Sequence, residues 1–317
     1  MSLLDRVMAE PELQAEPPVL VDVGAAGGVH PAWRRIARYA VGVGFEPDAR
    51  EAAPLDAAQR EFRQWIFCPG LVVPERPAEG TATLHLTKSP QCSSTLPPRT
   101  AALAEWSFAE FFEVTERRQF PATTLTGALA AQGIAGVDWL KCDTQGLDLK
   151  LWQSLPAGWR SRVLAVEVEP GIIDAYDGEE KLGDVLAAFA GEPFWLAALA
   201  VGRVPRGGPA LLEKYLGAGA AKWVRRLAPG APAWANAHFL RDFAREPEPL
   251  DRRAHLLGWV WATLAGQHSA ALTVADAGMR RFGGGRFDEM VAASGRSLRR
   301  AMVRGVPAMV WRRLTRG

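Results

Sequence analysis

Short apolar runs rich in β-branched residues alternate along the chain with segments whose apolar side chains recur at helical spacing. The predicted strands are 19–23, 41–45, 82–87, 138–143 and 163–169, followed by 194–202 and 236–242. Between the first two strands, Trp33 and Ile36 fall on one helical face, which predicts a helix that begins at Pro31. This alternation is typical of a mostly parallel sheet with helices on both faces.

The composition changes in two places after the predicted strand 163–169. Residues 200–234 are rich in glycine and proline and longer than a simple connection requires, so they form either a lid or a peripheral decoration. From Glu246 onward the chain holds 12 arginines, no lysine and 6 acidic residues. We therefore predict an α/β domain over residues 1–245, which contains the insertion, and a basic helical C-terminal extension over residues 246–317.

Composition and charge limit the class of protein. With 317 residues, 48% of them apolar and 23% charged, the chain is expected to fold as a soluble protein, and its net charge of +2 does not indicate a nucleic-acid partner. The first residues are acidic where a signal peptide needs an apolar run, and the longest apolar stretches are too short to cross a bilayer. We therefore expect a cytoplasmic protein without a transmembrane segment. Three widely spaced cysteines do not indicate a disulfide framework or a thiolate metal site.

The first predicted strand leads into a turn with few side chains. Leu20–His30 has the sequence LVDVGAAGGVH, in which Asp22 is the last acid before the turn and Gly24 is the first of five consecutive small residues. Glycines let a ligand approach the main chain, and the free N–H groups that follow suit a negative group. Glu46 follows the second strand, where a carboxylate can accept both hydroxyl groups of a ribose.

A second polar segment follows the predicted strand 138–143. Asp143 ends this strand and Gln145 lies in the turn before an amphipathic helix. Because the carboxyl ends of parallel strands share one edge of a sheet, we expect Asp143 to lie beside the acids of the first two strands. The alternative is that Asp143 caps the helix. Lys141 lies within the strand and is a candidate to pair with a carboxylate.

Two nucleotide cofactors suit this outline. A nicotinamide cofactor requires G-x-G-x-x-G, whereas the turn here is G-A-A-G-G, and the chain has no Tyr-x-x-x-Lys pair. An acid before the first glycine suits a positively charged cofactor such as S-adenosylmethionine, which carries a sulfonium, an ammonium and a ribose. A structural turn with an incidental acid is the third interpretation. The chain has no G-x-S-x-G, phosphate-loop or H-E-x-x-H motif, and its five scattered histidines offer no spacing for zinc. A divalent ion held by Asp143 and neighbouring acids is compatible with the sequence, but nothing in the sequence requires one.

Four motifs, in order, carry a resemblance to a known family. They are LVDVGAAGG (20–28), GFEPD (44–48), LKCDTQGLDLKLWQSL (140–155) and VEVEP (166–170). From about residue 19 to residue 242 the chain resembles the FkbM-like S-adenosylmethionine-dependent methyltransferases. The resemblance implies a Rossmann-like, doubly wound, seven-stranded sheet whose last strand is antiparallel. It also implies methylation of hydroxyl oxygens on sugars, glycans or secondary metabolites.

The resemblance also implies roles for individual residues. Those assigned to the cofactor are Asp22, Gly24, Ala26, Gly28, Glu46 and Asp143. Those considered for the acceptor are Ser93, Ser94 and Gln145, with the acceptor pocket expected from residues 89–120 and 200–234. Four positions depart from the usual pattern. Ala26 replaces a frequent asparagine, and His30 replaces an aromatic or small residue. Gln145 and Asp148 stand where the family often has glutamate, although the glutamine variant is also common.

Methyl transfer from a sulfonium is an in-line displacement, so the protein mainly has to align the acceptor hydroxyl and exclude water. A general base near that hydroxyl can assist. Asp143 is the first candidate base and His30 the second. The competing interpretation is a non-catalytic protein of the same fold that binds or assembles through its basic tail. That tail either contacts an anionic membrane surface or an acidic partner, or packs on its own domain.

Overall fold

The computed structural model describes residues 1–26, 28–48, 60–246, 248 and 250–314, with side chains described as far as 303. Gly27 of the predicted turn and the end of the basic C-terminal segment therefore lie outside the described residues. The strands are β1 Val19–Val23, β2 Val41–Phe45, β3 Gln64–Cys68, β4 Leu71–Val72, β5 Thr81–Thr87, β6 Val114–Thr123, β7 Trp139–Cys142, β8 Ala165–Val168, β9 Phe194–Val204 and β10 Ala231–Arg241.

The helices are short along most of the chain, and the three longest lie toward its C-terminus. They are α1 Leu3–Met8, α2 Pro11–Ala15, α3 Thr100–Leu103, α4 Leu125–Ala131, α5 Asp148–Ser154, α6 Ala157–Arg160, α7 Leu182–Ala190, α8 Pro209–Leu216, α9 Ala220–Leu227, α10 Arg252–Leu264, α11 His268–Phe282 and α12 Arg286–Leu314. None of the helices in the described part of the chain combines the length and apolar character needed to cross a membrane.

The main sheet has seven strands in the order β3-β2-β1-β7-β8-β10-β9. The first five are parallel to one another, and β10, the last strand of the chain, is antiparallel to both β8 and β9. From β1 the chain continues to β2 and β3 on one side, and later to β7 and β8 on the other. Strand order therefore reverses between β1 and β7, which is where open α/β sheets bind ligands.

Each face of the sheet buries its own apolar layer, because alternate side chains along a strand point to opposite faces. On one face Leu20 and Trp139 pack against the N-terminal helices and against α10 to α12. On the other face Val21 and Leu140 pack against α4, α5 and α7. The described C-terminal helices thus share a core with the sheet.

Two predicted elements differ in the structure. The run 82–87 lies in β5, which pairs with β6 in a separate three-stranded sheet of order β4-β6-β5, and β3 takes its predicted place in the main sheet. The helix predicted from Pro31 is replaced by two short 3-10 turns, Trp33–Arg35 and Ala37–Tyr39. Burial of Trp33 and Ile36 reproduces the predicted apolar face without a continuous helix.

Candidate functional site

A cavity of about 490 Å³ lies at the carboxyl ends of the parallel strands, where strand order reverses. Residues that directly follow four neighbouring strands line it. They are Gly24 and Ala26 after β1, Glu46 after β2, Asp143 and Gln145 after β7, and Glu169 after β8. The small sheet adds part of the wall through Leu71 and Leu84. The cavity is therefore formed by both sheets.

Gly24 allows the ends of three strands to approach one another closely beside the cavity. Its φ of +83° lies in the left-handed region, and a Cβ at this position would lie 2.0 Å from the carbonyl oxygen of Asp143. The N–H groups of Gly24 and Ala25 both donate to the carbonyl of Phe45 at 3.0 Å. Three strand ends are thus drawn together through main-chain atoms, and a residue with a side chain cannot replace Gly24 without moving them.

The described lining of the cavity is acidic. Its ionisable carboxylic residues are Glu46, Asp48, Asp143, Glu169 and Glu179, and none of the described lining residues is a lysine, arginine or histidine. Glu46 is buried, and its Oε1 accepts a hydrogen bond from the backbone N–H of Asp48 at 2.8 Å. Clefts lined by charges of one sign concentrate the field, so this cavity favours a positively charged ligand group.

Asp143 and Glu169 form a carboxyl pair across the ends of β7 and β8. Burial raises the pKa of Glu169 to about 9, and the charge of Asp143 and the hydrogen bond between the two groups add to this effect. The side chain of Asn236 donates to Glu169 Oε1 at 3.2 Å. At neutral pH Glu169 therefore retains a proton and shares it with Asp143.

Gln145 holds Asp143 from the other side. Its Nε2 donates to Asp143 Oδ1 at 2.7 Å, and the hydroxyl of Tyr176 lies 3.1 Å from its Oε1. Gln145 has a φ of +58°, a strained conformation for a residue other than glycine. Ser94 stabilises it by donating from Oγ to the Gln145 carbonyl at 2.8 Å. The orientation of the Asp143 carboxylate is therefore built into the turn.

A buried acid behind the cavity links the same two strand ends. Asp148 Oδ1 accepts hydrogen bonds from the N–H and hydroxyl of Thr144 at 2.8 and 2.6 Å, and its Oδ2 accepts from the N–H of Glu169 at 2.7 Å. Burial raises the pKa of Asp148, although these donors act in the opposite direction. Asp148 thereby positions both members of the Asp143–Glu169 pair without lining the cavity itself.

Part of the cavity wall is aromatic. Its aromatic members are Phe108, Phe111, Phe112, Tyr176 and Trp234. The rings of Phe108 and Trp234 are stacked with centroids 6.4 Å apart. Ser93 lines the same side, and its Oγ accepts from the N–H of Thr87 at 3.1 Å. Much of this wall comes from the two segments expected to contact an acceptor, 89–120 and 200–234.

The side chain of Asp22 does not line the cavity. It forms an ion pair with Lys141, with Asp22 Oδ1 and Lys141 Nζ 2.7 Å apart, and only 3% of Asp22 is exposed. Burial alone would lower the pKa of Lys141, but the carboxylates of Asp22 and Asp143 raise it. Burial raises the pKa of Asp22, and the Lys141 ammonium opposes that rise. The predicted role of Lys141 as a partner of a carboxylate is confirmed.

The Asp22–Lys141 pair belongs to a buried row that crosses four adjacent strands. Strand register places Asp22, Lys141, Glu167 and His238 side by side on β1, β7, β8 and β10. His30 Nε2 lies 3.2 Å from Glu167 Oε2, which attaches the segment after the glycine turn to this row. Burial lowers the pKa of His238. His30 is therefore part of a buried electrostatic network away from the cavity.

The structure divides the predicted site residues into two groups. Those that line the cavity are Gly24, Ala26, Glu46, Ser93, Asp143 and Gln145, and those that do not are Asp22, Gly28, His30 and Ser94. Glu169 was not among the predicted site residues, although it follows β8 as Asp143 follows β7. The individual aromatic residues of the wall were not predicted either, although most of them lie in the two segments expected to form the acceptor pocket.

Neither the described side chains nor the comparisons with known proteins assign a function to the cavity. The described side chains include no cluster of three or more histidine, cysteine or acidic residues arranged to hold a metal ion. No known protein-family model matches the chain, and a comparison with curated proteins gives no match. The functional interpretation therefore depends on the geometry and charge of the cavity.

Proposed function

We propose that the protein is an S-adenosylmethionine-dependent O-methyltransferase. The observation that carries this proposal is the acidic lining of a cavity at the switch point of a seven-stranded sheet. S-adenosylmethionine brings a sulfonium, an ammonium and two ribose hydroxyls, all of which interact favourably with carboxylates. The sheet, with its antiparallel last strand, is also the one that the resemblance to FkbM-like methyltransferases implies.

The chain supplies groups for the ribose and for the positive charge of this cofactor. Glu46, at the end of β2, is placed to accept the ribose hydroxyls. Gly24 and Ala26 offer main-chain atoms, and Asp143 with Glu169 faces the positive charge. When bound, the cofactor supplies a methyl group that is already activated by its positively charged sulfur. The work left to the protein is to orient the acceptor and to exclude water.

Asp143 is our candidate to take the proton from the acceptor hydroxyl. Its carboxylate lines the cavity and is oriented by Gln145, whereas the neutral Glu169 stabilises negative charge on it through their shared proton. A general base in this position contributes about 10²–10⁴-fold to the rate. The other candidate base, His30, is bound to Glu167 outside the cavity and is assigned a structural role.

The aromatic wall suits the acceptors that the resemblance implies. Phe108, Phe112 and Trp234 present flat apolar surfaces in the cavity that the carboxylates also line. A sugar ring or an aromatic metabolite packs well on such surfaces, with its hydroxyl groups directed to polar partners. We therefore propose that the acceptor enters along this wall with a hydroxyl directed toward Asp143.

The same acidic lining argues against a nicotinamide cofactor. A dinucleotide has a doubly charged pyrophosphate, which the glycine turn of a Rossmann domain normally faces. Here the carboxylates of Glu46 and Asp143 would face that group without a described basic residue in the lining. A nicotinamide-dependent oxidoreductase is therefore the weaker proposal.

Calorimetric titration with S-adenosylhomocysteine tests cofactor binding. We expect one site per chain, and we expect Glu46→Ala to weaken binding by about tenfold or more, since hydrogen bonds to charged groups contribute about 1.5–3 kcal/mol. Asp276→Ala, which removes an acid from α11, is the matched control and should bind like the parent. Circular dichroism of each variant checks that the fold is intact.

A second measurement separates an enzyme from a non-catalytic binding protein. The parent and Asp143→Asn are each supplied with S-adenosylmethionine carrying a labelled methyl group and with a cell extract, and the small-molecule products are analysed by mass. We expect a labelled product with the parent and a strong loss with the variant. Absence of any heat of binding with the parent contradicts cofactor binding, whereas binding without transfer supports the non-catalytic alternative.

A further inference from the structure

The insertion between β9 and β10 exposes large apolar side chains that a soluble surface normally avoids. Leu211 and Tyr215 of α8 are 55% and 70% exposed, and Trp223 and Leu227 of α9 are 59% and 78% exposed. The residues of α8 and α9 do not line the cavity. Contiguous exposed apolar side chains of this kind mark interaction sites.

Helix α9 is amphipathic, and its inward side is firmly attached. Ala220 and Ala221 are buried. Arg225 donates to the carbonyl of Ser107 at 2.9 Å, forms an ion pair with Glu110 and stacks on Phe111 at 4.4 Å. Helix α9 is therefore packed on the domain through its inner side, and the apolar side chains of its outer side remain exposed.

The outer side of α9 has two stripes at helical spacing. Trp223 and Leu227 are four residues apart and form an apolar stripe, and Lys222 and Arg226 form a basic stripe beside it. In the described part of the chain neither Lys222 nor Arg226 forms an ion pair, and both are exposed. The exposed face of α9 thus combines an aromatic anchor with unpaired positive charge.

The insertion is mostly basic. Residues 203–226 contain four arginines and two lysines but a single acid, Glu213. An apolar stripe flanked by lysine and arginine is the pattern of helices that lie in the interface of an anionic bilayer. We propose that the α8–α9 insertion docks on an anionic membrane surface, with Trp223 and Leu227 entering the headgroup region and with Lys222 and Arg226 contacting phosphates.

Charge argues against a second copy of this chain as the occupant. A two-fold contact places the same patch on both partners. It would therefore set Lys222 and Arg226 of one copy against the same basic residues of the other, which disfavours association. An anionic bilayer satisfies both the apolar and the basic stripes.

The docked bilayer would lie near the aromatic side of the cavity, because Arg225 of α9 stacks on Phe111, which lines it. If the proposed methyltransferase function holds, this location favours an acceptor carried on a lipid. That last step rests on the proposed function. Membrane docking does not, since it can be measured without cofactor.

Co-sedimentation of the full chain with vesicles tests the proposal. One set of vesicles is made of phosphatidylcholine mixed with phosphatidylserine, and the other of phosphatidylcholine alone. We expect binding to the first set, weak binding to the second, and release at high salt. Trp223→Asp with Leu227→Asp, and separately Lys222→Glu with Arg226→Glu, should each weaken binding by about tenfold or more.

Arg299→Glu with Arg300→Glu is the matched control, because these exposed arginines lie on α12 in the basic C-terminal region. It should bind vesicles like the parent. The proposal is overturned if the parent ignores anionic vesicles, or if only the α12 variant loses binding. It is equally overturned if light scattering shows a dimer that the Trp223 and Leu227 variant dissociates while vesicles bind neither protein. Calorimetry with S-adenosylhomocysteine measures cofactor binding independently of vesicles. A failure of membrane docking and a failure of the proposed methyltransferase function can therefore be distinguished.

Discussion

Asp22 shows how a residue at the correct strand end can serve the fold rather than the cavity. It lies on the same face of the sheet as Leu20, and its register partner on β7 is Lys141. Along a strand only every second side chain faces a given side. The same alternation places Lys141 opposite Asp22, so the ion pair is a consequence of two neighbouring strand sequences.

Asp22→Asn should strongly destabilise the protein. The substitution leaves the charge of Lys141 buried without its carboxylate, and breaking a buried ion pair in this way costs about 3–5 kcal/mol. Combining Asp22→Leu with Lys141→Met removes both charges and should recover most of the lost stability. Urea denaturation gives the free energy of unfolding of each variant. A double variant no more stable than Asp22→Asn would contradict this account.

Glu169 predicts a dependence of stability on pH. Its carboxyl has an ordinary pKa of 4.5 in the unfolded chain and a pKa of about 9 in the folded protein. The folded protein therefore binds the extra proton between these values, and its free energy of unfolding should fall as pH rises through this window. Glu169→Gln keeps a neutral hydrogen-bonding group and should flatten the fall. Urea denaturation across the window checks this, with the exposed Glu79→Gln as the control that should leave the slope unchanged.

At the scale of single residues, part of the candidate site could be predicted from the sequence. Glu46, Asp143 and Gln145 could be found because each comes directly after a predicted strand and the ends of parallel strands converge. The pairing of Glu169 with Asp143 could not, because it depends on β7 and β8 being neighbours. The aromatic wall was also beyond reach, since Phe108 and Trp234 meet only through tertiary packing.

At the scale of elements, the apolar pattern predicted strands more reliably than their partners. In β5, Leu84 and Leu86 are buried, whereas His85 between them is only partly buried. This is the alternation of a strand in any half-exposed sheet. The pattern does not distinguish the main sheet from a separate antiparallel pair. β3 was missed because Gln64–Cys68 is a short strand at the edge of the main sheet, where burial is incomplete.

The packing of helix α10 predicts that the C-terminal helices and the main sheet unfold together. Trp261 is fully buried and packs edge-on against Trp139 of β7 with ring centroids 5.1 Å apart. Trp261→Ala should cost about 3–5 kcal/mol of stability, whereas Trp223→Ala, at an exposed site, should change it by less than about 0.5 kcal/mol. Urea denaturation should show one transition in all three proteins. A separate early transition in the Trp261 variant would mean that α10 to α12 unfold independently of the sheet.

At the scale of the molecule, charge is separated by location. The chain has a net charge of only +2, yet the described cavity lining is acidic and the α8–α9 insertion is basic. Strand topology explains the first feature, because the reversal between β1 and β7 gathers acids from strands that are far apart in the chain. Composition alone could not reveal either feature, since opposite local charges cancel in the total.

The acidic cavity predicts how ligand charge sets affinity. S-adenosylmethionine and S-adenosylhomocysteine share the adenosine and amino-acid groups, but only the former has a positive sulfur. Facing Asp143 and Glu169, the sulfonium should increase affinity by about tenfold, or about 1.4 kcal/mol. Because Glu169 is protonated at neutral pH, the preference should grow as pH rises toward its pKa of about 9, where the pair gains negative charge. Competition titrations at several pH values measure the ratio, and Glu169→Gln should abolish its rise with pH. Equal affinities of the two ligands at every pH would mean that the carboxyl pair does not face the sulfur.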